Sequence, residues 1–413
     1  MQWSDYTNGE RIKILRGRDV NQVALAEMTG LSIATIQKAE QDKQLSLNTL
    51  MQIADALGVD TSVVLGQQAP RRAMVQSDRT MLRTLSQTVH DTAAGLLPDS
   101  VAADEAEAIQ AAIDRCWRRY WKGHYTQAGA FVVPILTQAA AYLREQPVGG
   151  QGEAWGLIAD TYRLAAYVAN LMGARDLAYA AIGHAQQAAE QSGDELQPAL
   201  VASGRAWVYL RDARLDDALH LAEKAAADIE PRFSTATMEQ LTVYGSHINF
   251  AAVVASRKDD KDLVKGYLSQ ATATGARMGT EHRARGTLYG PVTADTQAVG
   301  IAVALGQTGK ALDLIRDIPE AQLAVLTDAA RNRYAMDKAM AQADARLWDA
   351  SLDTLEQALV AAPVWARHQA LPSVIVQKVG RASTARVRRV SALLGVRPGF
   401  DSGFAHATSK TAL

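Results

Sequence analysis

The sequence predicts an all-α protein in which a small five-helix domain precedes an α-solenoid. Residues 9–66 divide into five short segments with helical apolar periodicity, separated by capping and turn residues. From about residue 103, alanine-rich amphipathic segments follow one another in pairs, and aromatic residues make up only 6% of the chain. So many small side chains are typical of closely packed helices.

The length and composition indicate a soluble protein with more than one domain. At 413 residues the chain exceeds a single ordinary core, and its 48% hydrophobic and 21% charged residues are typical of globular proteins. The first residues lack the apolar core of a signal peptide, and no stretch approaches the roughly 18 consecutive apolar residues of a membrane span. We therefore predict a cytoplasmic protein without membrane contact.

The first two predicted helices have clear ends. The first carries Ile12 and Leu15 on one side, places basic residues elsewhere and ends at Gly17. The second spans residues 22–28; Asn21 can cap its start, and Gly30 can close its end in a left-handed conformation. The residues expected to face the core from this second helix are Val23, Leu25 and Ala26.

The third helix, residues 33–41, begins after Ser32, a good N-cap residue. Helical spacing turns Ile36 and Ala39 inward. The remaining side chains are then available on the outside: Ile33, Ala34, Thr35, Gln37 and Lys38. Two further helices follow, one with apolar residues at helical spacing over residues 47–57 and a short one over residues 63–65.

These helices carry a family resemblance. The segments VNQVALAEMTGLSIATIQKAEQ and LNTLMQIADALGVDTSVVL closely resemble the helix-turn-helix of the phage-repressor type, the XRE or Cro/cI family, over about residues 8–66. The resemblance includes Gln22 at the start of the second helix, Gly30 at the turn, and Ile36 and Glu40 on the third helix. It implies a domain that binds double-stranded operator DNA.

In that family the third helix enters the major groove. The resemblance therefore implies that Ile33, Ala34, Thr35 and Lys38 face the bases, and that Gln22, Gln37 and Lys43 contact phosphates or the groove rim. Because Ile33 and Ala34 offer no bidentate hydrogen bonds, base recognition here would rest on thymine methyl groups, Lys38 and DNA shape.

The charge balance leaves an alternative open. The chain has a net charge of −1, and residues 1–66 carry six basic and eight acidic side chains, a local charge of −2. The usual basic footprint of a DNA-binding domain is absent. The small domain could instead have lost DNA binding and serve as a dimer or protein contact.

The rest of the chain contains an internal repeat. Small residues stand seven apart at Ala178/Ala185, Ala218/Ala225 and Ser351/Ala358, and equivalent positions recur at intervals of about 40 residues. Small side chains let antiparallel helices approach closely, and stacking of such pairs predicts a right-handed solenoid. We expect four regions: a helix-turn-helix domain (1–66), a linker and connecting helix (67–102), repeats (103–399) and a flexible tail (400–413).

The repeats look like tetratricopeptide (TPR) arrays, although their units are longer than usual. The combination resembles TPR-containing XRE regulators of actinomycetes and, more distantly, the peptide-sensing quorum regulators of Gram-positive bacteria. In those regulators the concave solenoid face binds a short peptide, so the resemblance implies a homodimer whose DNA binding is controlled by an effector. We expect the dimer contact in the C-terminal repeats.

TPR phasing places a set of polar and aromatic side chains on the predicted concave face: Arg163, Tyr167, Asn170, Ser203, Trp207 and Asn249. Arginine favours a terminal carboxylate, and asparagines can pair with a peptide backbone. These residues form our hypothetical binding site for a peptide or small molecule. Alternatively, the two aromatic residues pack between repeats and the asparagines are helix-end or solvated residues.

The segment CWRRYWKGHY, residues 116–125, mixes aromatic and basic residues. Its spacing favours a first solenoid helix that packs against the linker over a nucleic-acid contact. We find no zinc-protease, phosphate-loop or serine-elbow motif, and Gly286–Asp295 is expected in a helix connection without a strand. The single cysteine, Cys116, is expected to be buried. The sequence thus predicts no catalysis, cofactor or metal.

The leading functional prediction is a dimeric transcription regulator whose solenoid senses an effector. A second possibility is a scaffold that binds a protein partner and uses the small domain for docking. A third is a purely structural helical scaffold.

Overall fold

A computed structural model describes residues 3, 6–17, 20–43, 45–66, 74–96, 101–366, 369, 371–379 and 384–395. Almost all of its secondary structure is α-helical, which confirms the all-α prediction. The predicted tail, residues 400–413, and residues 67–73 and 97–100 of the predicted linker lie outside the described residues.

The chain forms two compact units, Met1–Met74 with Ala335–Leu413, and Val75–Tyr334. The first unit contains α1 (Asn8–Arg16), α2 (Gln22–Thr29), α3 (Ile33–Glu40), α4 (Leu47–Ala56), α5 (Thr61–Val64), and, from the C-terminal part, α18 (Trp348–Ala361), α19 (Pro363–Ala366), α20 (Leu371–Val379) and α21 (Thr384–Leu394). The boundary between the units falls within α17 (Asp328–Asp344).

The second unit contains α6 (Gln76–Ala93), α7 (Ala106–Trp121), α8 (Tyr125–Glu145), α9 (Gly152–Leu171), α10 (Arg175–Gln191), α11 (Gln197–Arg211), α12 (Leu215–Asp228), α13 (Met238–Arg257), α14 (Lys261–Met278), β1 (His282–Ala284), β2 (Thr287–Tyr289), α15 (Pro291–Ala304), α16 (Thr308–Asp317) and a 3₁₀ helix (Glu320–Val325).

The N-terminal helices begin and end where their capping residues predict. The side chains of Asn21 and Ser32 accept hydrogen bonds from backbone amides in the first turns of α2 and α3. Gly30 closes α2 with a φ of 68°, a conformation that glycine adopts without strain. Local sequence therefore determines the α2–turn–α3 geometry on which the candidate DNA-binding surface depends.

Two residues of α1 hold it against its neighbours. Gly9 lies directly on the end of α3, because an added Cβ would stand 2.6 Å from the Glu40 carbonyl oxygen. Arg11 is buried, and its guanidinium donates to the Asn8 side chain at 2.7 Å and to the Val64 carbonyl at 3.2 Å. Burial lowers the pKa of Arg11 to about 10. The sequence pattern had placed this arginine away from the apolar side of α1.

Helices from the two ends of the chain share one apolar core in the first unit. Val374 of α20 is buried among Ile12, Leu25, Ile36 and other residues of α1–α5. Residues 335–399 were assigned to the repeat array from the small-residue spacing of Ser351 and Ala358. Both are buried, and Ser351 donates to the Ala339 carbonyl at 2.7 Å, but this helix pair belongs to the first unit. The spacing of small residues predicts that two helices pack as a pair, but it does not predict which unit the pair joins.

The second unit is a series of antiparallel helix pairs, a repeat-like arrangement. The small residues that mark the predicted repeats are buried where α9 and α11 pack on α10 and α12: Ala178, Ala185, Ala218 and Ala225. Small side chains at these positions allow the helix backbones to approach closely.

Helix α6 is an integral part of the second unit, although the sequence placed it outside the repeats, in the linker and connecting helix (67–102). Met81 lies against Gly129 of α8, and Thr126 donates to the Asp78 carboxylate at 2.6 Å. Tyr162 of α9 donates to the Val89 carbonyl at 3.4 Å. Four apolar residues of α6 are buried, so the unit begins near residue 75 and not at residue 103.

A β-hairpin interrupts the helices between α14 and α15, where the sequence predicted a connection without a strand. Its antiparallel strands pair His282 with Tyr289 and Ala284 with Thr287. Arg285 and Gly286 form the turn with φ values of 46° and 76°. Two successive positive φ values are typical of a tight hairpin turn, but arginine at the first position gives a weak sequence signal.

The base of the hairpin is anchored in the core. The ring of Tyr289 is completely buried against Gly245, and its hydroxyl donates to the Ala271 carbonyl at 2.7 Å. Glu281 accepts two hydrogen bonds from Thr293 in the first turn of α15.

Across the described residues, we find no helix with the length and apolar character needed to cross a bilayer.

Candidate DNA-binding surface and effector site

Helix α3 presents the side chains that the sequence predicted for its outer face. Ile33 is 43% exposed, and Ala34, Gln37 and Lys38 are exposed, whereas Ile36 and Ala39 are buried. Thr35 is half-buried, and its hydroxyl lies 2.9 Å from that of Ser32. The exposed face therefore combines two aliphatic groups, one amide and one cation.

Gln22 takes part in a hydrogen-bonded cluster that links three helices. Its amide donates to one oxygen of the buried Glu40 carboxylate at 2.7 Å, and Arg16 Nε donates to the other oxygen at 2.8 Å. Arg16 also donates to the Val20 carbonyl at 2.6 Å. Gln22 thus positions α2 against the end of α3, a role that leaves only part of its amide for a DNA phosphate.

The turn after α3 fixes the position of Lys43. Its backbone N–H donates to the Lys38 carbonyl at 2.9 Å, and its side chain is exposed. The preceding Asp42 has a φ of 55° and accepts from the Gly9 backbone amide at 2.7 Å. Because this turn is tied to the start of α1, Lys43 is held at a defined place beside α3.

The prediction that Val23 belongs to the core is wrong. Val23 is 48% exposed, and Met28 on the same helix is 55% exposed. Leu25 and Ala26 supply the buried face of α2, as expected. Successive residues of a helix are about 100° apart, so Val23 and Leu25, two positions apart, point to nearly opposite sides and cannot both face the core.

In the second unit, four of the predicted effector-site residues meet: Arg163, Tyr167, Ser203 and Trp207. The Tyr167 ring centroid lies 4.8 Å from that of Trp207, 5.2 Å from Trp117 and 5.7 Å from Tyr120. We call these four side chains the aromatic cluster. Tyr167 and Trp207 are half-buried, and Trp117 and Tyr120 are buried. Burial raises the pKa of Tyr167, which also shares a hydrogen bond with Ser203.

Arg163 joins the aromatic cluster through its guanidinium carbon, 4.9 Å from the Trp117 ring centroid. It is only 2% exposed. Its Nη2 donates to the Asp160 carboxylate at 2.7 Å and to the Arg285 carbonyl, at the hairpin turn, at 2.8 Å. Sequence reasoning predicted Arg163 as a ligand-binding cation, and the structure shows that protein groups already accept its hydrogen bonds.

The two predicted asparagines are buried on α9 and α13. Asn170 is completely buried near the end of α9, where its Oδ1 accepts from Arg175. Asn249 is 6% exposed on α13. Among the described residues, Asn170 Nδ2 and Asn249 Oδ1 have no hydrogen-bond partner. Both amides are therefore buried with one polar atom unpaired, and their predicted role in ligand binding stays a prediction.

Sequence reasoning missed Trp117, Arg285 and Gly286 as neighbours of Arg163. Trp117 lies in the segment assigned to helix packing, and it is indeed buried in α7. Arg285 and Gly286 are more than 100 residues away along the chain, and only the tertiary fold brings them there. A weak signal existed in the sequence, since Arg-Gly is followed by the short run Thr-Leu-Tyr, which contains two strand-forming residues.

Residues 12–62 match the Cro/C1-type helix-turn-helix DNA-binding domain, which confirms that prediction for the N-terminal helices. No curated protein matches the chain. Among solved structures, the chain is similar to BtubC (BKLC) from P. vanneervenii, with 15% sequence identity and a TM-score of 0.39. That match covers 56% of this chain and 88% of BtubC.

Proposed function

We propose that this protein is a transcription regulator that reads a double-stranded operator through α3. The observation that carries the proposal is the exposed face of α3 within a Cro/C1-type DNA-binding domain. Ile33, Ala34, Thr35 and Lys38 would face the bases, and Gln22, Gln37 and Lys43 would contact the backbone or groove rim. Aliphatic groups at the start of the helix favour sites with thymine methyl groups.

The proposal extends to effector control and to a homodimer. Arg163, Tyr167 and Trp207 form one contact group, which suits a peptide or small molecule with a carboxylate and an apolar part. A dimer would place two copies of α3 about one DNA turn apart, or a multiple of it. The protein would act in the cytoplasm as a regulator and not as an enzyme.

DNA binding is tested with the full-length protein and sheared genomic DNA at moderate salt. We expect a palindromic site among the retained fragments. Lys38→Glu should weaken binding to that site at least tenfold, since loss of one base or phosphate contact costs about 1–3 kcal/mol and the new charge repels DNA. Lys310→Glu makes the same charge change on α16 and should leave affinity within about twofold at the same salt.

A protein-docking role is the second candidate, and the exposed apolar side chains of Val23 and Met28 favour it. In that case the genomic selection would return only background fragments. The double variant Val23→Ser/Met28→Ser would then lose a co-purifying protein, whereas Lys38→Glu would retain it.

A further inference from the structure

The hairpin turn lies on Arg163, the cation of the predicted effector site, and on its neighbour Trp117. Gly286 lies on the indole of Trp117, since an added Cβ would stand 3.2 Å from two ring carbons and 3.3 Å from Nε1. The Arg285 carbonyl accepts a hydrogen bond from Arg163 at 2.8 Å. The same guanidinium N–H groups are suitable donors for the carboxylate at the end of a peptide, and the indole ring can pack against the peptide backbone.

One polar group at this place lacks a partner. Trp117 is 5% exposed, and its Nε1 has no hydrogen-bond acceptor among the described residues. Buried indole N–H groups usually have an acceptor. The turn covers this donor with a glycine backbone that does not accept from it, so a better acceptor would gain a hydrogen bond here.

The side chain of Arg285 keeps the turn in place. It forms ion pairs with Asp194 and Glu239 and donates to the Gln197 side chain at 3.2 Å. Arg285 remains 29% exposed, and the two acidic side chains are 33% and 40% exposed. Ion pairs as exposed as these contribute little, and the positive φ of Arg285 costs free energy in a residue with a side chain. The hairpin base is anchored in the core, whereas its tip is held by these partly exposed polar contacts and by the contacts with Arg163 and Trp117.

We propose that Arg285 and Gly286 are an internal substitute for an effector, and that a peptide with a free C-terminal carboxylate displaces them from Arg163. The inference rests on the effector function proposed above and names its ligand class and its control. A carboxylate forms charge-assisted hydrogen bonds to a guanidinium that a neutral carbonyl cannot match, and on Arg163 it would share the cation with Asp160. The same ligand can place an acceptor near Trp117 Nε1.

The probe is the tetrapeptide His-Arg-Ala-Arg, which copies residues 282–285 and ends where the chain's Arg285 carbonyl lies. Its free acid carries a carboxylate at that point, and its C-terminal amide is the matched control. With full-length protein in calorimetry, we expect the acid to bind at least tenfold more tightly than the amide. Arg285→Ala frees Asp194 and Glu239 for the arginine of the peptide and should raise the affinity for the acid about tenfold.

Displacement is followed by hydrogen exchange of the amides in residues 283–288. The acid should speed their exchange, whereas amides of α9 and α13 should exchange more slowly or at unchanged rates. Gly286→Ala should speed the same amides without peptide, because its Cβ would press on Trp117. Gly279→Ala is the control: its φ of 69° is similarly positive, but nothing lies within 4 Å of the added Cβ.

Equal affinity for acid and amide, no binding of either form to the protein or to Arg285→Ala, or unchanged hairpin exchange would each overturn the proposal. These measurements contain no DNA. Loss of DNA binding with intact peptide displacement would therefore reject the operator function alone. An extract that changes DNA binding equally in the natural protein and in Arg285→Ala would retain effector control but reject the hairpin mechanism.

Discussion

The face of α3 and the aromatic cluster around Tyr167 present opposite arrangements. Buried side chains and the hydrogen bonds from Gln22 and Arg16 to Glu40 hold α3, and its outward side chains are exposed to solvent. In the aromatic cluster, the side chains that would bind a ligand are partly or fully buried and already contact one another and the hairpin turn. The face of α3 is exposed, whereas the hairpin turn lies on Trp117 of the aromatic cluster.

The two candidate sites differ in how they present their side chains. A helix that binds in a DNA groove needs rigid support behind its exposed face, and here the helix caps and a small core provide that support. Under the proposal above, ligand binding at Arg163 requires displacement of the hairpin turn, so the ligand would change the structure.

The largest expected effect tests the support behind α3. Gly9→Ala should destabilise the first unit by about 3 kcal/mol, since the added methyl group meets backbone atoms of α3 that cannot move independently. Denaturant unfolding followed by hydrogen exchange of residues 8–66 measures it. Gly183→Ala on α10, with nothing within 4 Å, should instead stabilise by about 0.5–1 kcal/mol. Similar effects for the two variants would contradict the close approach.

The second prediction concerns pH and the core of the second unit. His247 is completely buried, its Nε2 lies 2.9 Å from the Ala199 carbonyl oxygen, and burial lowers its pKa to about 4. In the unfolded chain the imidazole of His247 is protonated near pH 6.5, as a histidine in water is. Between those values the unfolded state therefore binds more protons, and stability falls as the pH falls.

From pH 7 to pH 5 this histidine should remove about 2 kcal/mol from the unfolding free energy of the second unit. His247→Gln should flatten that part of the pH profile, even if it lowers stability overall. His220→Gln, a change at an exposed histidine, should leave the slope as it is. A slope that persists in His247→Gln would assign the pH dependence to other groups.

A smaller effect is expected from the glycine under the aromatic cluster. Gly204→Ala places a Cβ 2.8 Å from the Tyr167 ring and 3.0 Å from Ile182 Cδ1. Because both neighbours are side-chain ends that can shift, we expect a loss of about 1 kcal/mol. Near-ultraviolet circular dichroism should report the displaced ring. Gly266→Ala on α14 meets nothing within 4 Å and should leave the aromatic spectrum unchanged.

The smallest effect concerns the bases that α3 reads. Replacing each thymine of the selected site by deoxyuridine in turn removes only a methyl group. At a position that contacts Ile33 or Ala34, affinity should fall about fourfold, because burial of one methyl group contributes about 0.8 kcal/mol. Ile33→Ala should reduce this difference between the two bases. Equal binding of all uridine-substituted sites would assign specificity to Lys38 and DNA shape.

The sequence by itself determined the N-terminal helices and the fold class. Asn21, Gly30 and Ser32 act within a few residues of their own positions, and the alternation of buried and exposed residues on α3 follows from helical geometry. The outer face of α3 was predictable for the same reason. The small residues of the helix pairs were also predictable, because close helix packing admits few other side chains.

Only the tertiary structure decided which elements share a core and what surrounds Arg163. Val374 joins the N-terminal core, α6 joins the second unit, and the Arg285 carbonyl meets a guanidinium 122 residues away along the chain. None of these contacts follows from spacing, since a helix with an apolar face can pack on any complementary face. Burial of Arg11 has the same origin: its cost is offset by carbonyl acceptors that the fold supplies.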